Sequence, residues 1–162
     1  MKTYKQFYII NKDKLFGYLL RMTGDYQVSS DILQESFTRL LSSYGPAEQN
    51  TALLYKIARN ALIDSRRKNR WETEGDGQDI PDVKNPENDM IIRESYRKVM
   101  DAMKSLDEME REVLSLSVSQ DFSYRDIARI MDITEANVRV KIHRARLKLK
   151  DILAAGKGGE EP

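Results

Sequence analysis

Cysteine is missing from all 162 residues, which excludes disulfides, thiolate catalysis and the usual zinc sites. His143 is the only histidine. With no companion ligands it is a packing or contact residue, so neither a metal site nor a cofactor is expected. No run of 18 apolar residues occurs and the N-terminus lacks a signal-peptide pattern, which makes the cytoplasm the expected location. Strand-like alternation and internal repeats are missing as well, leaving all-α as the fold class. An excess of one charge is lacking too: the net charge is only +1. That would argue against nucleic acid if the charge were spread evenly, but it is not. Residues 1–71 carry 12 cations against 6 acids, residues 72–90 carry 1 against 7, and residues 91–162 carry 14 against 13.

What is present is most informative between Ser123 and Lys150. Ser123 with Asp126 three residues on forms a capping-box pattern. Ile127, Ala128 and Met131 then share a helical face, and Ala128 is small enough for a second helix to cross closely. Asp132-Ile133-Thr134 interrupts the pattern, since Asp tolerates the left-handed conformation of a tight turn. Thr134 is placed to cap the following helix, with Glu135 in its first turn. Val138, Ile142, Ala145, Leu149 and Ile152 form its apolar stripe. Arg139, Lys141, Arg144, Arg146, Lys148 and Lys150 occupy the rest, with no acid among them. A solvated basic face is the plainest explanation of such a helix. The capped first helix, the alanine and the turn instead specify a helix-turn-helix, whose second helix enters the major groove with cations on phosphates.

The rest of the chain reads as further helices. Tyr4–Met22 presents Tyr8, Leu15, Phe16, Leu19 and Leu20; Gly24 ends it and Asp25 caps the next. That helix, Tyr26–Ser42, is expected to bury Val28, Ile32, Phe37, Leu40 and Leu41. Its other side shows Asp31, Gln34, Glu35 and Thr38, a polar strip that is either solvent face or a docking surface. Residues 43–50 form a loop around Gly45-Pro46. A helix over Thr51–Trp71 presents Leu54, Ile57, Ala58, Ala61 and Ser65 inward, while Tyr55, Arg59, Asn60, Ile63 and Asp64 leave that face. Its basic end complements the helix dipole. Five cations in the twelve residues from Arg59, flanked by Tyr55 and Trp71, also suit a strand with exposed bases. Residues 72–89 contain two Gly, two Pro and many acids, and read as an extended linker spanning up to about 60 Å. Two small helical domains on a tether are therefore expected, rather than one globule. The second has helices over Met90–Lys104 (Ile91, Tyr96, Val99 and Met103 inward) and Leu106–Ser119 (Met109, Val113, Leu116 and Val118 inward). The helix-turn-helix follows, then a disordered tail over 156–162.

Three stretches in this order resemble the extracytoplasmic-function group of bacterial sigma factors. They are Asp31-Ile32-Leu33-Gln34-Glu35-Ser36-Phe37, similar to a D-x-x-Q-E-x-F run; Leu54-Tyr55-Lys56-Ile57-Ala58-Arg59-Asn60 with Asp64 and Arg66-Arg67; and Phe122 to Ala128 with Val138 and His143-Arg144-Ala145-Arg146. Asp132 stands where the family commonly has glycine. The resemblance implies a first domain, 1–71, that docks on the clamp helices of core RNA polymerase through Asp31, Gln34, Glu35 and Thr38. It implies that Tyr55, Arg59, Asn60, Ile63, Asp64, Arg66 and Arg67 contact the promoter −10 element. Asn60 and the 43–50 loop would capture an unstacked base, and the acidic linker would thread a channel later taken by nucleic acid. A last domain, 90–155, would meet the polymerase flap and read the −35 element through Asn137, Arg139, Val140, Lys141, His143, Arg144 and Lys148. An anti-sigma protein is a further implied partner, and no membrane insertion or catalytic residue is implied.

Two other classes fit parts of the chain. A conventional operator-binding regulator explains residues 91–155 equally well, but not the polar strip of the second helix or the exposed-base features of the third. A DNA-acting enzyme would need Asp31 and Glu35 as metal ligands, and two carboxylates without a third partner are more often surface.

Overall fold

A computed structural model describes residues 3–68, 86–118 and 122–158. The expected linker and Trp71 lie largely outside them, as do the side chains of Ile91 and Tyr96. The described residues form seven α-helices and no strand, as the periodicity predicts.

Each of the first three helices is set by a short polar cap. Thr3 starts α1 (Tyr4–Thr23), its hydroxyl accepting from the Gln6 amide at 3.2 Å while the Gln6 side chain accepts from the Thr3 amide at 2.8 Å. Gly24 ends α1 in the left-handed region, φ 67°, where a Cβ is unfavourable. Asp25 then caps α2 (Tyr26–Tyr44), accepting from the Val28 amide at 3.1 Å. The helix runs to Tyr44, two residues beyond its predicted end, because the break comes only at Gly45 with φ 86°. Asn50 accepts from the Leu53 amide at 3.1 Å and opens α3 (Thr51–Lys68).

In the second half the boundaries shift where local chemistry outweighs periodicity. Helix α4 (Pro86–Lys104) begins four residues early, since proline at a first helical position is already set for the helix. Asp107 caps α5 (Glu108–Ser117) and delays its start, its carboxylate accepting from the Glu110 amide at 2.8 Å. Hydrogen bonding to Glu110, through its side chain first and then through this amide, holds the Asp107 carboxyl below the usual carboxylate range. After α6 (Tyr124–Met131), helix α7 (Glu135–Gly158) extends three residues into the expected tail. Ala154 and Ala155 propagate a helix already nucleated.

The first three helices pack on Phe7, Leu15, Leu19, Ile32, Phe37, Leu40, Leu54 and Ala58, with Phe37 meeting the rings of Phe7 and Tyr8 edge-on. Fully burying one such leucine or phenylalanine is worth about 1.5–3 kcal/mol. Four positions differ from the expected pattern, three placed in the core and one outside it. Leu41, Val99 and Val118 are exposed, at 40%, 44% and 56%. In α2 Leu40 takes the core as expected and leaves its neighbour Leu41 outside; in α4 Met100 replaces Val99 beside the expected Met103, while Val118 falls beyond the end of α5. Tyr55 is the fourth, buried although it was placed outside.

The two helical domains pack against each other. Helix α1 lies against α5 and α3 against α6. One core runs from Phe7 and Leu54 through Val113 and Leu116 to Ile127 and Ile142.

Candidate nucleic-acid interface

Every cap in the α6–α7 unit serves to orient α7. The Ser123 hydroxyl accepts from the Asp126 amide at 3.1 Å, and the Asp126 carboxylate accepts from the Ser123 amide at 3.0 Å. Asp132 turns the chain at φ 56°, ψ 47°, and Thr134 accepts from the Asn137 amide at 3.1 Å. Ile127, Ile130, Val138 and Ile142 are buried between the helices. Fixing that face inward turns Asn137, Arg139, Val140, His143 and Arg144 outward, where all five are exposed, with Lys141 half-buried beside them. Arg139 makes an exposed ion pair with Glu135, 2.9 Å, and its guanidinium lies 5.9 Å from the Tyr124 ring. Such a pair is weak and yields readily to another acceptor. Lys148 differs: its Nζ lies 2.6 Å from Oε1 of Glu110, a carboxylate buried in α5.

The α3 face divides in two. Asn60, Ile63, Asp64 and Arg67 are exposed. Tyr55 and Arg59 are covered by the other half, and Arg66, half-buried, reaches it at one point. Tyr55 sits between Tyr18, 5.5 Å away, and Phe122, 4.7 Å away. Arg59 Nε donates to Glu112 Oε2 at 2.8 Å, and the Tyr18 hydroxyl donates to the same oxygen at 2.7 Å. Burial first, and then the Glu112 charge, push the Tyr18 hydroxyl well above the usual tyrosine range, so it stays a donor. Arg66 pairs with Glu108 and donates to the Met22 carbonyl at 2.8 Å. Burial, and then the nearby Arg111 charge, lower the Arg66 guanidinium below its ordinary value.

On α2 the strip of Asp31, Gln34, Glu35 and Thr38 is wholly exposed. Asp31 accepts from Gln27 and Glu35 from Arg39, both within the helix. A groove of about 390 Å³, lined by Glu35, Arg39, Asp64, Arg67 and Lys68 among others, joins this strip to the exposed part of α3. Glu108, Glu110 and Glu112 are the residues sequence reasoning undervalued. A signal existed: Glu112 stands three residues after Met109 and four before Leu116, a charge on the apolar stripe itself.

The family models for sigma-70 region 2 and sigma-70 region 4 match residues 7–72 and 96–149. The ECF RNA polymerase sigma factor SigM of Bacillus subtilis is 30% identical across 98% of this chain and 99% of its own. The chain belongs to the ECF RNA polymerase sigma factors. The ECF sigma-E factor of Haemophilus influenzae is 31% identical over 83% of this chain and 79% of its own. Two solved structures share the fold. The sigma factor RpoE in complex with the anti-sigma factor NepR, from Bartonella quintana, has a TM-score of 0.72 at 19% identity, covering 93% of this chain and 96% of that one. CnrH in complex with the cytosolic domain of CnrY has a TM-score of 0.70 at 21% identity, covering 94% and 88%.

As a sigma factor the protein directs core polymerase to specific promoters, reading the −35 element and melting the −10 element to start transcription. Sigma factors are non-enzymatic regulators of initiation. Among the described residues no helix is long and apolar enough to cross a membrane.

Proposed function

We propose that this sigma factor divides its work between residues 1–71, which dock on polymerase and open the −10 element, and residues 90–155, which read the −35 element. Residues 72–89 link the two along the path of nucleic acid. The observation that carries this reading is the orientation of α7: its buried stripe leaves Asn137, Arg139, Val140, His143 and Arg144 in one exposed row. Arginine is suited to bidentate contact with guanine, and His143 and Val140 fill the space between. Lys141 adds a phosphate contact from the edge of the row.

In the first half, Asp31, Gln34, Glu35 and Thr38 meet the polymerase clamp helices. Asn60, Ile63, Asp64 and Arg67 face the −10 strand, with Tyr55, Arg59 and Arg66 joining them once uncovered. The Asn60 side chain both donates and accepts, as the edge of an extruded base requires. The cytoplasm is the place of action and no catalytic activity resides in the chain. A partner of the anti-sigma class, such as those bound to RpoE and CnrH, restrains it.

Charge reversal at the strip tests the assignment. Asp31→Lys with Glu35→Lys is expected to abolish binding to purified core polymerase and transcription from a genomic fragment library. Helical content and thermal unfolding should not change, because neither side chain packs in the core. A double variant that unfolds returns the strip to an ordinary structural face.

A further inference from the structure

Between α2 and α3 runs an open groove of about 390 Å³, floored by Ala61 and walled by charge. Helix α2 supplies Glu35 and Arg39, one turn apart, and α3 supplies Asp64, Arg67 and Lys68. All five are exposed. Arg67 and Lys68 close α3, where a basic last turn complements the helix dipole, and that alone explains their charge. Among the described residues they take part in no ion pair. Arg39 has no such explanation, since it precedes the last turn of α2. Its Nη2 donates to Glu35 Oε1 at 2.6 Å, with side-chain exposures of 45% for Arg39 and 46% for Glu35. A solvated pair at this spacing is weak, and it opens when a stronger acceptor reaches the guanidinium.

We propose that this groove seats a backbone phosphate of the DNA strand, and that Arg39 of α2 holds it from outside the α3 row. Glu35 occupies Arg39 until the phosphate replaces it. A guanidinium fork takes a carboxylate or a phosphate with similar geometry, so one acceptor displaces the other. With Glu35 in place, two acids stand against the three cations of the groove. With Glu35 turned away only Asp64 remains, and Arg39, Arg67 and Lys68 are left to one anion. Charge and continuity identify the occupant. Asp64 and Arg67 belong both to the groove and to the exposed face of α3, so a strand on that face carries a phosphate to the groove. Asp64 opposes an anion there, which makes the seat weak alone and effective for a phosphate delivered by neighbouring contacts. The seat rests on the assignment of the α3 face to the strand made above.

Fluorescence anisotropy of a labelled single-stranded DNA of random sequence, titrated with the full chain, tests the exchange. Arg39→Ala is expected to weaken binding about fivefold and to lower the slope of log affinity against log salt by about 0.7, the release from one phosphate of a single strand. Glu35→Gln is expected to tighten binding about threefold, because the phosphate no longer has to break the ion pair. Both side chains are exposed, so helical content should match the parent. In the Arg39→Ala background, Glu35→Gln should gain nothing. A gain that persists there is a general charge effect and overturns the exchange on Arg39. Parental affinity and slope in Arg39→Ala overturn the seat, provided that Arg67→Ala weakens binding. If Arg67→Ala is equally silent, the assignment of α3 to the strand fails and the seat with it. Inorganic phosphate at constant ionic strength separates a strand from a free anion. Displacement of the oligonucleotide by millimolar phosphate, from the parent but not from Arg39→Ala, overturns the strand as occupant.

Discussion

Helices α3 and α7 both carry rows of cations, and from sequence alone the two rows look alike. Their surroundings make them different. On α7 a buried stripe fixes the helix from behind and leaves Arg139, His143 and Arg144 facing solvent. On α3 Arg59 and Arg66 are matched by acids from α5, and the aromatic ring of Tyr55 is buried beside Arg59. The same contrast holds for the acids. Asp31 and Glu35 on α2 have the spacing of Glu108 and Glu112 on α5, yet the first pair is exposed while Glu112 is enclosed. Charge type and helical spacing therefore identify what a face can bind. What the fold sets against that face decides whether it is open.

The largest expected effect breaks the contrast at its buried side. Arg59→Ala removes the cation from Glu112, leaving an enclosed carboxylate with the Tyr18 hydroxyl as its donor. Breaking one side of a buried pair costs about 3–5 kcal/mol. Arg144→Ala, at an exposed site with solvent around it, should stay within about 0.5 kcal/mol of the parent. Urea unfolding of the two variants compares them directly, and equal midpoints would mean that α3 is no more engaged than α7.

The next effect runs the other way. Arg139→Ala or Arg144→Ala should weaken binding to a duplex carrying the −35 element by about 1–3 kcal/mol if the side chain reads a base, and relax preference at that base. The weak Glu135 pair does not protect Arg139 from that loss. Selection from a randomised −35 duplex library reports the preference. A uniform loss across sequences would reduce both residues to phosphate contacts and remove the readout from this face.

How much of this was legible follows from the range of each signal. Ser123, Asp126, Asp132 and Thr134 act on neighbours three or four residues away, so the helix-turn-helix could be read in full, capping box included. The polar strip of α2 was equally visible, because nothing in the described structure covers it. The contact between the two halves was not. Tyr18 meets Glu112 across 94 positions and Arg59 meets it across 53, with a linker between that suggested separation. Tyr55 shows the cost of reading an aromatic beside cations as a stacking surface. It shares a stripe with Ala58 and Leu62, all three buried, and that spacing was the better guide.

Lys148 sharpens the comparison within α7 itself, and with the smallest effect. From sequence it belongs to the row of phosphate contacts. In the fold its ammonium lies 2.6 Å from Glu110, whose side chain is only 3% exposed. The lysine therefore supports the packing of α7 on α5, at the end of the helix away from the exposed row. Lys148→Ala should cost about 1 kcal/mol of stability, since Glu110 loses its cation while the site, half-open on the lysine side, admits water. A phosphate contact would instead lower the slope of log affinity against log salt by about 1. We expect that slope to match the parent for duplex −35 DNA, with Glu110→Gln in the same chain restoring part of the lost stability. A flatter slope at unchanged stability would put Lys148 back on the DNA, and the cations of α7 would then form one continuous row.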